Sequence, residues 1–160
     1  MNDSKELAAL CNAVDRCFLS DRLPYPYTVK DAKTWLNMVA QKDTITGIYR
    51  AIVLDGHIVG SISVEQKDDV CRIDGEIGFM LLCDYWNKGI MTKAVRQMSV
   101  IAFRDLPLQR ITAKVFRPNS ASIQVLRKNC FVHEATLQNA VIKESKIYDL
   151  CVFGLIKHNL

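Results

Sequence analysis

Residues 72–81 alternate cleanly, with Ile73, Ile77, Phe79 and Leu81 pointing one way and Arg72, Asp74, Glu76, Gly78 and Met80 the other. That is the period-two pattern of a strand. The polar run Asp84–Gly89 breaks it, and from Ile90 to Arg104 the residues Met91, Val95, Met98 and Ala102 fall on one helical stripe. Ile111–Phe116 follows as a second strand, closed by Arg117-Pro118. A strand, a helix and a strand in this order imply one parallel crossover. Both flanks read as hairpins. Residues 48–54 and 57–64 surround Asp55-Gly56, a two-residue turn signal, and two closing strands occupy roughly 131–142 and 146–156. The predicted class is therefore α/β (α+β): a mixed, mostly antiparallel central sheet with one parallel pair and helices on both faces.

Before the first hairpin, Leu7, Leu10, Val14 and Phe18 predict a helix over 3–19. The prolines of Leu23-Pro24-Tyr25-Pro26-Tyr27 stop it, and Thr28 caps a second helix near 29–41. Asn119 caps a further helix that runs to Lys128. No repeat, low-complexity tract or linker interrupts the chain, so one domain is expected over 1–160. The chain is 49% hydrophobic and 24% charged, and a chain of this length buries about 70% of its unfolded surface.

Composition excludes several classes. No apolar run approaches the roughly 18 residues of a membrane span, and the N-terminus does not read as a secretory signal. The net charge is +4, but the 21 basic residues are scattered, so nucleic acid is not expected as a partner. Cysteines stand at 11, 17, 71, 83, 130 and 151 without a CxxC pair or a histidine cluster. No metal is expected, and the pattern predicts reduced core thiols in a cytoplasmic protein.

The chemistry lies between Glu76 and Phe103. A strand there runs through a polar loop with one glycine into the head of an amphipathic helix. Unpaired amides and the positive end of the helix dipole favour anions at such a junction. Gly89 allows close approach and Lys88 adds charge, which makes a diphosphate cradle. A single glycine matches neither the P-loop nor the dinucleotide fingerprint.

The run Glu76-Ile77-Gly78-Phe79, then Leu81, Tyr85, Trp86 and Lys88 to Ala94, resembles the acetyl-CoA-binding motif of GNAT acetyltransferases. The form is that of the RimJ/RimL-like branch, which acetylates the N-termini of ribosomal proteins. The likeness continues through Arg110, Ile111, Ala113, Asn119, Ser122, Leu126, Lys128 and Phe131, and upstream through Pro24–Thr28, Asp31, Ala32 and Trp35. Asn87, Cys83 and Cys130 depart from it, standing where the family has glycine, proline and glycine. A positive φ at Asn87 or Cys130 would cost about 1 kcal/mol. The strand that usually precedes the family's first helix is also expected to be absent.

The resemblance implies an acetyl-CoA-dependent N-acetyltransferase in which the amine attacks the thioester directly, with acetyl-CoA as co-substrate. The implied cofactor contacts are Met80, Leu81, Leu82, Asn87, Lys88, Gly89, Ile90, Met91, Thr92 and Asn119, with an oxyanion amide at Met80 or Leu81. Ser122 stands where the family serine approaches the CoA sulfur, although a first-turn serine also bonds backbone in many helices. Glu76 is the candidate base, Asp74 its rival on the same strand face; a solvated carboxylate is the plain alternative. An N-terminal amine is the first-choice acceptor, because about a tenth of it is neutral at pH 7, whereas a lysine amine is neutral at under one part in a thousand. Small amines such as polyamines, aminoglycosides or amino acids are the alternative, as is a non-catalytic acyl-CoA-binding module. A homodimer is possible on this reading. Arg117, Arg127 and Lys128 are candidates for the adenosine 3′-phosphate, and Tyr25 and Tyr27 for the acceptor cleft. His57, His133 and His158 read as structural.

Overall fold

The structure, a computed structural model, describes residues 3–159. In chain order the elements are α1 (Asp3–Ala13), α2 (Val29–Lys42), β1 (Gly47–Leu54), β2 (His57–Gln66), β3 (Asp74–Leu81), α3 (Ile90–Asp105), β4 (Arg110–Phe116), α4 (Ser120–Arg127), β5 (Val132–Lys143) and β6 (Lys146–Ile156). One six-stranded sheet runs β1-β2-β3-β4-β6-β5. Only β3 and β4 are parallel; all other neighbours are antiparallel. The expected mixed sheet and its single crossover are both present. Among the described residues no strand precedes α1, and β1 forms one edge.

Local chemistry explains most boundaries. Thr28 and Asp31 form a reciprocal capping box at the head of α2. Asp55 and Gly56 take φ values of 49° and 81°, so the β1–β2 turn has the left-handed backbone that suits a twisted two-residue hairpin. The first helix is shorter than its apolar spacing predicts. It ends at Ala13 because the Asp15 carboxylate accepts the Cys17 N–H at 2.9 Å, a local bond that competes with the helix. Phe18 instead packs on Phe116 and Tyr148.

Two clusters lie on opposite faces of the sheet. The larger joins Ile77 and Leu81 of β3, Ile111, Ala113 and Val115 of β4, and Phe153 of β6 to Met91, Val95, Met98 and Ala102 of α3 and Leu126 of α4. The smaller joins Leu7, Leu10 and Cys11 of α1 to Tyr27 and Ala32, with Ile58 and Met80 packed against it. Ile73 does not join its predicted partners. It is 55% exposed because β3 starts one residue later and Ile73 C=O accepts from Gln109 N–H in the turn. The expectation of six core thiols is also corrected: Cys11 and Cys151 are buried, while Cys17, Cys71, Cys83 and Cys130 are exposed, and all six are free. Cys71 and Cys83 sit in short 3-10 turns and Cys130 at a φ of 62° beyond α4, places dictated by turn geometry rather than by hydrophobicity.

Gly60 in β2 supports the strand that matters most below. A Cβ there would come within 2.6 Å of the Met80 carbonyl oxygen and 2.9 Å of Leu81 Cδ1. The first is a ladder atom that cannot move alone. Gly60→Ala is therefore expected to cost about 1–3 kcal/mol, a fall of roughly 2–12 °C in Tm for a chain of this size. A thermal melt within 1 °C of the parent would refute this.

Candidate active site

A gap opens in the middle of the sheet. β3 and β4 keep their parallel register at Asp74–Arg110, Gly75–Ile111 and Glu76–Thr112 and then stop pairing, although the strands continue to Leu81 and Phe116. The outer pairings show which backbone groups face it. Leu82 N–H bonds Val59 C=O and Lys67 N–H bonds Asp74 C=O, so even-numbered residues of β3 turn their amides to β2 and odd-numbered ones to the gap. On β4 the even-numbered residues face the gap, because Gln109 and Arg117 bond toward β6.

This parity sorts the strand contacts expected from sequence. Met80 is opposite Ser61 in the β2 ladder, so its amide points away from the gap and cannot serve an oxyanion there. Its side chain packs against the α1–α2 cluster. Leu81 does present its N–H to the gap, while its C=O accepts the Trp86 indole N–H at 2.9 Å. Leu82 N–H is bonded to Val59 and its C=O to Tyr85 N–H, which leaves only its side chain for a ligand.

The two carboxylates on the polar face of β3 differ in their surroundings. Asp74 accepts from Lys67 Nζ at 2.5 Å and from Thr112 Oγ1 at 2.8 Å, with Arg110 Nε at 3.6 Å. Arg110 in turn forms a two-pronged pair with Glu134 and holds that carboxyl below its usual range. Asp74 is thus enclosed in a clasp beneath the gap. Glu76, two rungs nearer the mouth, has a single hydrogen-bond partner among the described residues, Lys114 Nζ at 2.7 Å, and its side chain is 42% exposed. Beside it Gly78 is exposed, and a Cβ there would meet only Ser63 Oγ, at 4.0 Å. Lys114 carries no motif signal of its own; it reaches Glu76 from two residues beyond Thr112, the residue paired with Glu76.

The head of α3 lies beyond the end of β3. Gly89 takes a φ of 74° without a side-chain cap, and the first intrahelical bond runs from Lys93 N–H to Gly89 C=O. The amides of Ile90, Met91 and Thr92 therefore precede the first helical bond and point out of the helix end. A Cβ on Gly89 would meet nothing within 4 Å, so the cradle is open. Asn87 takes a φ of 58°, a region that Asn tolerates well. Lys88 Nζ lies 5.4 Å from the centre of the Tyr85 ring, within cation–π range. Met91 is buried in the core, so it meets a ligand through its amide alone.

At the head of α4, Asn119 Oδ1 accepts Ser122 N–H at 3.1 Å, which leaves its side-chain NH₂ available. Ser122 Oγ has no hydrogen-bond partner among the described residues. The buried Asn129, which sequence pattern did not mark, donates to Thr92 C=O at 3.1 Å and to Val125 C=O at 2.8 Å. It ties the head of α3 to α4.

The remaining candidates separate. Arg117 is paired with Asp149 at 2.8 Å. With Arg127 it lines a cavity of about 390 Å³ bounded by α4, β5 and β6 that also contains His133 and Cys151. His133 Nε2 is 3.0 Å from Thr136 Oγ1, a bond within β5. Tyr27 is buried, which pushes its phenol up to about 12, and Tyr25 is exposed under Arg16. Lys128 is exposed, and His57 and His158 lie at the surface. Among the described residues no group of His, Cys, Asp or Glu side chains is placed to hold a metal, and no helix is long and apolar enough to cross a membrane.

A model of the acetyltransferase (GNAT) domain family matches residues 2–132. YdaF of Bacillus subtilis (strain 168) is 29% identical over 113 residues, 71% of this chain and 61% of YdaF. An uncharacterized N-acetyltransferase of Bacillus licheniformis, p20, is 32% identical over 108 residues, 61% of each chain. The chain thus spans about three-fifths of the length of these two relatives. Among solved structures, the ribosomal-protein-S5-alanine acetyltransferase of Vibrio fischeri superposes with a TM-score of 0.82 at 22% identity, over 96% of this chain and 89% of that one.

Proposed function

The chain belongs to the GNAT acetyltransferase domain family, and from that premise we propose that it transfers the acetyl group of acetyl-CoA to a primary amine, in the first place the N-terminal amine of a protein or peptide. One observation carries the proposal: the unpaired stretch of β3 leads, through the open Gly89 turn, to the unpaired amides at the head of α3. The two ends differ in chemistry. Amides of Ile90, Met91 and Thr92, with Asn87 and Lys88 beside them, suit a diphosphate. The Leu81 N–H suits a carbonyl oxygen that gains charge as the thioester is attacked.

The steps then follow from groups in place. The acceptor ammonium gives its proton to Glu76 through intervening water, and the neutral amine attacks the thioester carbon. Leu81 N–H donates to the developing oxyanion. The C–S bond breaks as the nitrogen, now N–H2+, gives up its second proton; Ser122 Oγ–H donates to the departing thiolate and regains that proton through water, a mild demand for a thiol with a pKa near 8.5. The branch that acetylates ribosomal N-termini is supported by the motif between Glu76 and Ala94 and by the likeness to the Vibrio fischeri enzyme. Six unpaired cysteines support a reducing, cytoplasmic setting.

Calorimetric titration with acetyl-CoA is expected to show binding. At a hundredfold excess over Kd the complex gains about 2.7 kcal/mol, or roughly 5–11 °C in Tm. Thiol release is then expected with N-terminal peptide amines and not without an amine. Absence of both heat and thermal shift would overturn the assignment.

A further inference from the structure

We infer that the preferred acceptor is an amine carrying its own carboxylate a few bonds away, and that Lys114 selects it. The inference rests on the placement of Glu76 at the acceptor end of the gap. Glu76 lies on the last paired rung of β3, and Lys114 two residues beyond its β4 counterpart Thr112, so their 2.7 Å ion pair spans the two strands where they begin to part. Both side chains project onto the face that carries Gly78, away from the buried Ile77, Leu81, Ala113 and Val115. Each is less than half exposed yet reachable, at 42% and 44%. Neither has a second hydrogen-bond partner among the described residues, in contrast to Asp74 and Arg110 just below. An exposed pair of this kind adds little to stability. It can therefore open for a ligand.

What enters must satisfy both halves. A simple ammonium that displaces Lys114 from Glu76 leaves the lysine charge unpaired a few ångströms from the newcomer. At about 5 Å that repulsion corresponds to roughly a four- to 250-fold penalty, depending on the local dielectric. A polyamine adds a further positive charge. An amino-carboxylate exchanges both partners at once: its ammonium goes to Glu76, its carboxylate to Lys114, and no charge is stranded. The open space over Gly78 admits it. The same chemistry is found in a free amino acid and in a peptide N-terminus whose first residue is acidic.

Two matched acceptor pairs test this by thiol release, each value of kcat/KM corrected for the neutral amine fraction. They are aspartyl-alanine amide against asparaginyl-alanine amide, and alanine against alaninamide; spermidine is the cationic probe. The carboxylate member of at least one pair is expected to lead by tenfold or more. A lead confined to the first pair assigns a polypeptide acceptor and one confined to the second an amino acid. Lys114→Met is expected to reduce that ratio to threefold or less, and Lys114→Glu to turn preference toward spermidine. A ratio below three in the parent protein, or one unchanged in Lys114→Met, would overturn the inference while leaving the acetyltransferase assignment standing. No turnover of any acceptor by protein that binds acetyl-CoA would overturn both.

Discussion

Glu76→Gln is expected to lower kcat by about 10²–10⁴-fold while acetyl-CoA affinity stays within threefold of the parent. Glutamine keeps the volume and the half-exposed position beside Lys114 but cannot accept the ammonium proton. Because the proposed diphosphate cradle consists of loop and helix amides beyond the end of β3, the cofactor should not register the change. The control is Asp74→Asn. Asp74 accepts from Lys67 and Thr112 inside the clasp, so its loss is expected to reduce stability by about 1.5–3 kcal/mol through charge-assisted bonds with a smaller effect on turnover. If Glu76→Gln lost less than threefold and Asp74→Asn lost more than a hundredfold, the base would be Asp74. Reading kcat and KM separately keeps a chemical defect apart from a binding defect.

Gly89→Val is expected to weaken acetyl-CoA binding by about a hundredfold or more. The new side chain would stand in the empty volume over Gly89, between the diphosphate and the amides of Ile90 and Met91. Two hydrogen bonds to a charged group contribute about 1.5–3 kcal/mol each, and each 1.4 kcal/mol is a decade of affinity. A β-branched residue at a φ of 74° also strains the backbone by about 1–3 kcal/mol, so a folding defect has to be separated out. Gly89→Asn does this, since Asn adopts the left-handed region with little strain yet still carries a Cβ into the cradle. Binding within fivefold of the parent in both variants would move the diphosphate elsewhere.

Most of the architecture is legible in the chain because it is set by short-range rules. Period-two alternation marks β3, the Asp55-Gly56 pair marks the hairpin, and Thr28 with Asp31 marks the head of α2. The end of α1 is not legible, because one carboxylate–amide bond at Asp15 and Cys17 outweighs a continuing apolar stripe. Nor are the cysteine positions, since apolar neighbours in sequence do not decide which side of a turn faces water. The motif marks a segment but does not say which of its backbone amides face the gap. Met80 and Leu81 are adjacent and equally apolar, and only the strand register turns one amide to β2 and the other to the gap. Lys114 and Asn129 are invisible for a related reason: each acts on a residue 38 or 37 positions away, Glu76 and Thr92 respectively.

Three rungs join β3 to β4, and among the described residues these are the only paired positions between the half of the sheet made of β1–β3 and the half made of β4–β6. A pantetheine arm lying in the open stretch would act as a surrogate strand, supplying the bonds the ladder leaves out between Ile77–Leu81 and Ala113–Phe116. The cofactor would then be part of the protein's own seam. Amide hydrogens along that seam, Leu81 foremost, are expected to exchange more slowly once acetyl-CoA is bound, and those of the β5–β6 hairpin to exchange as before.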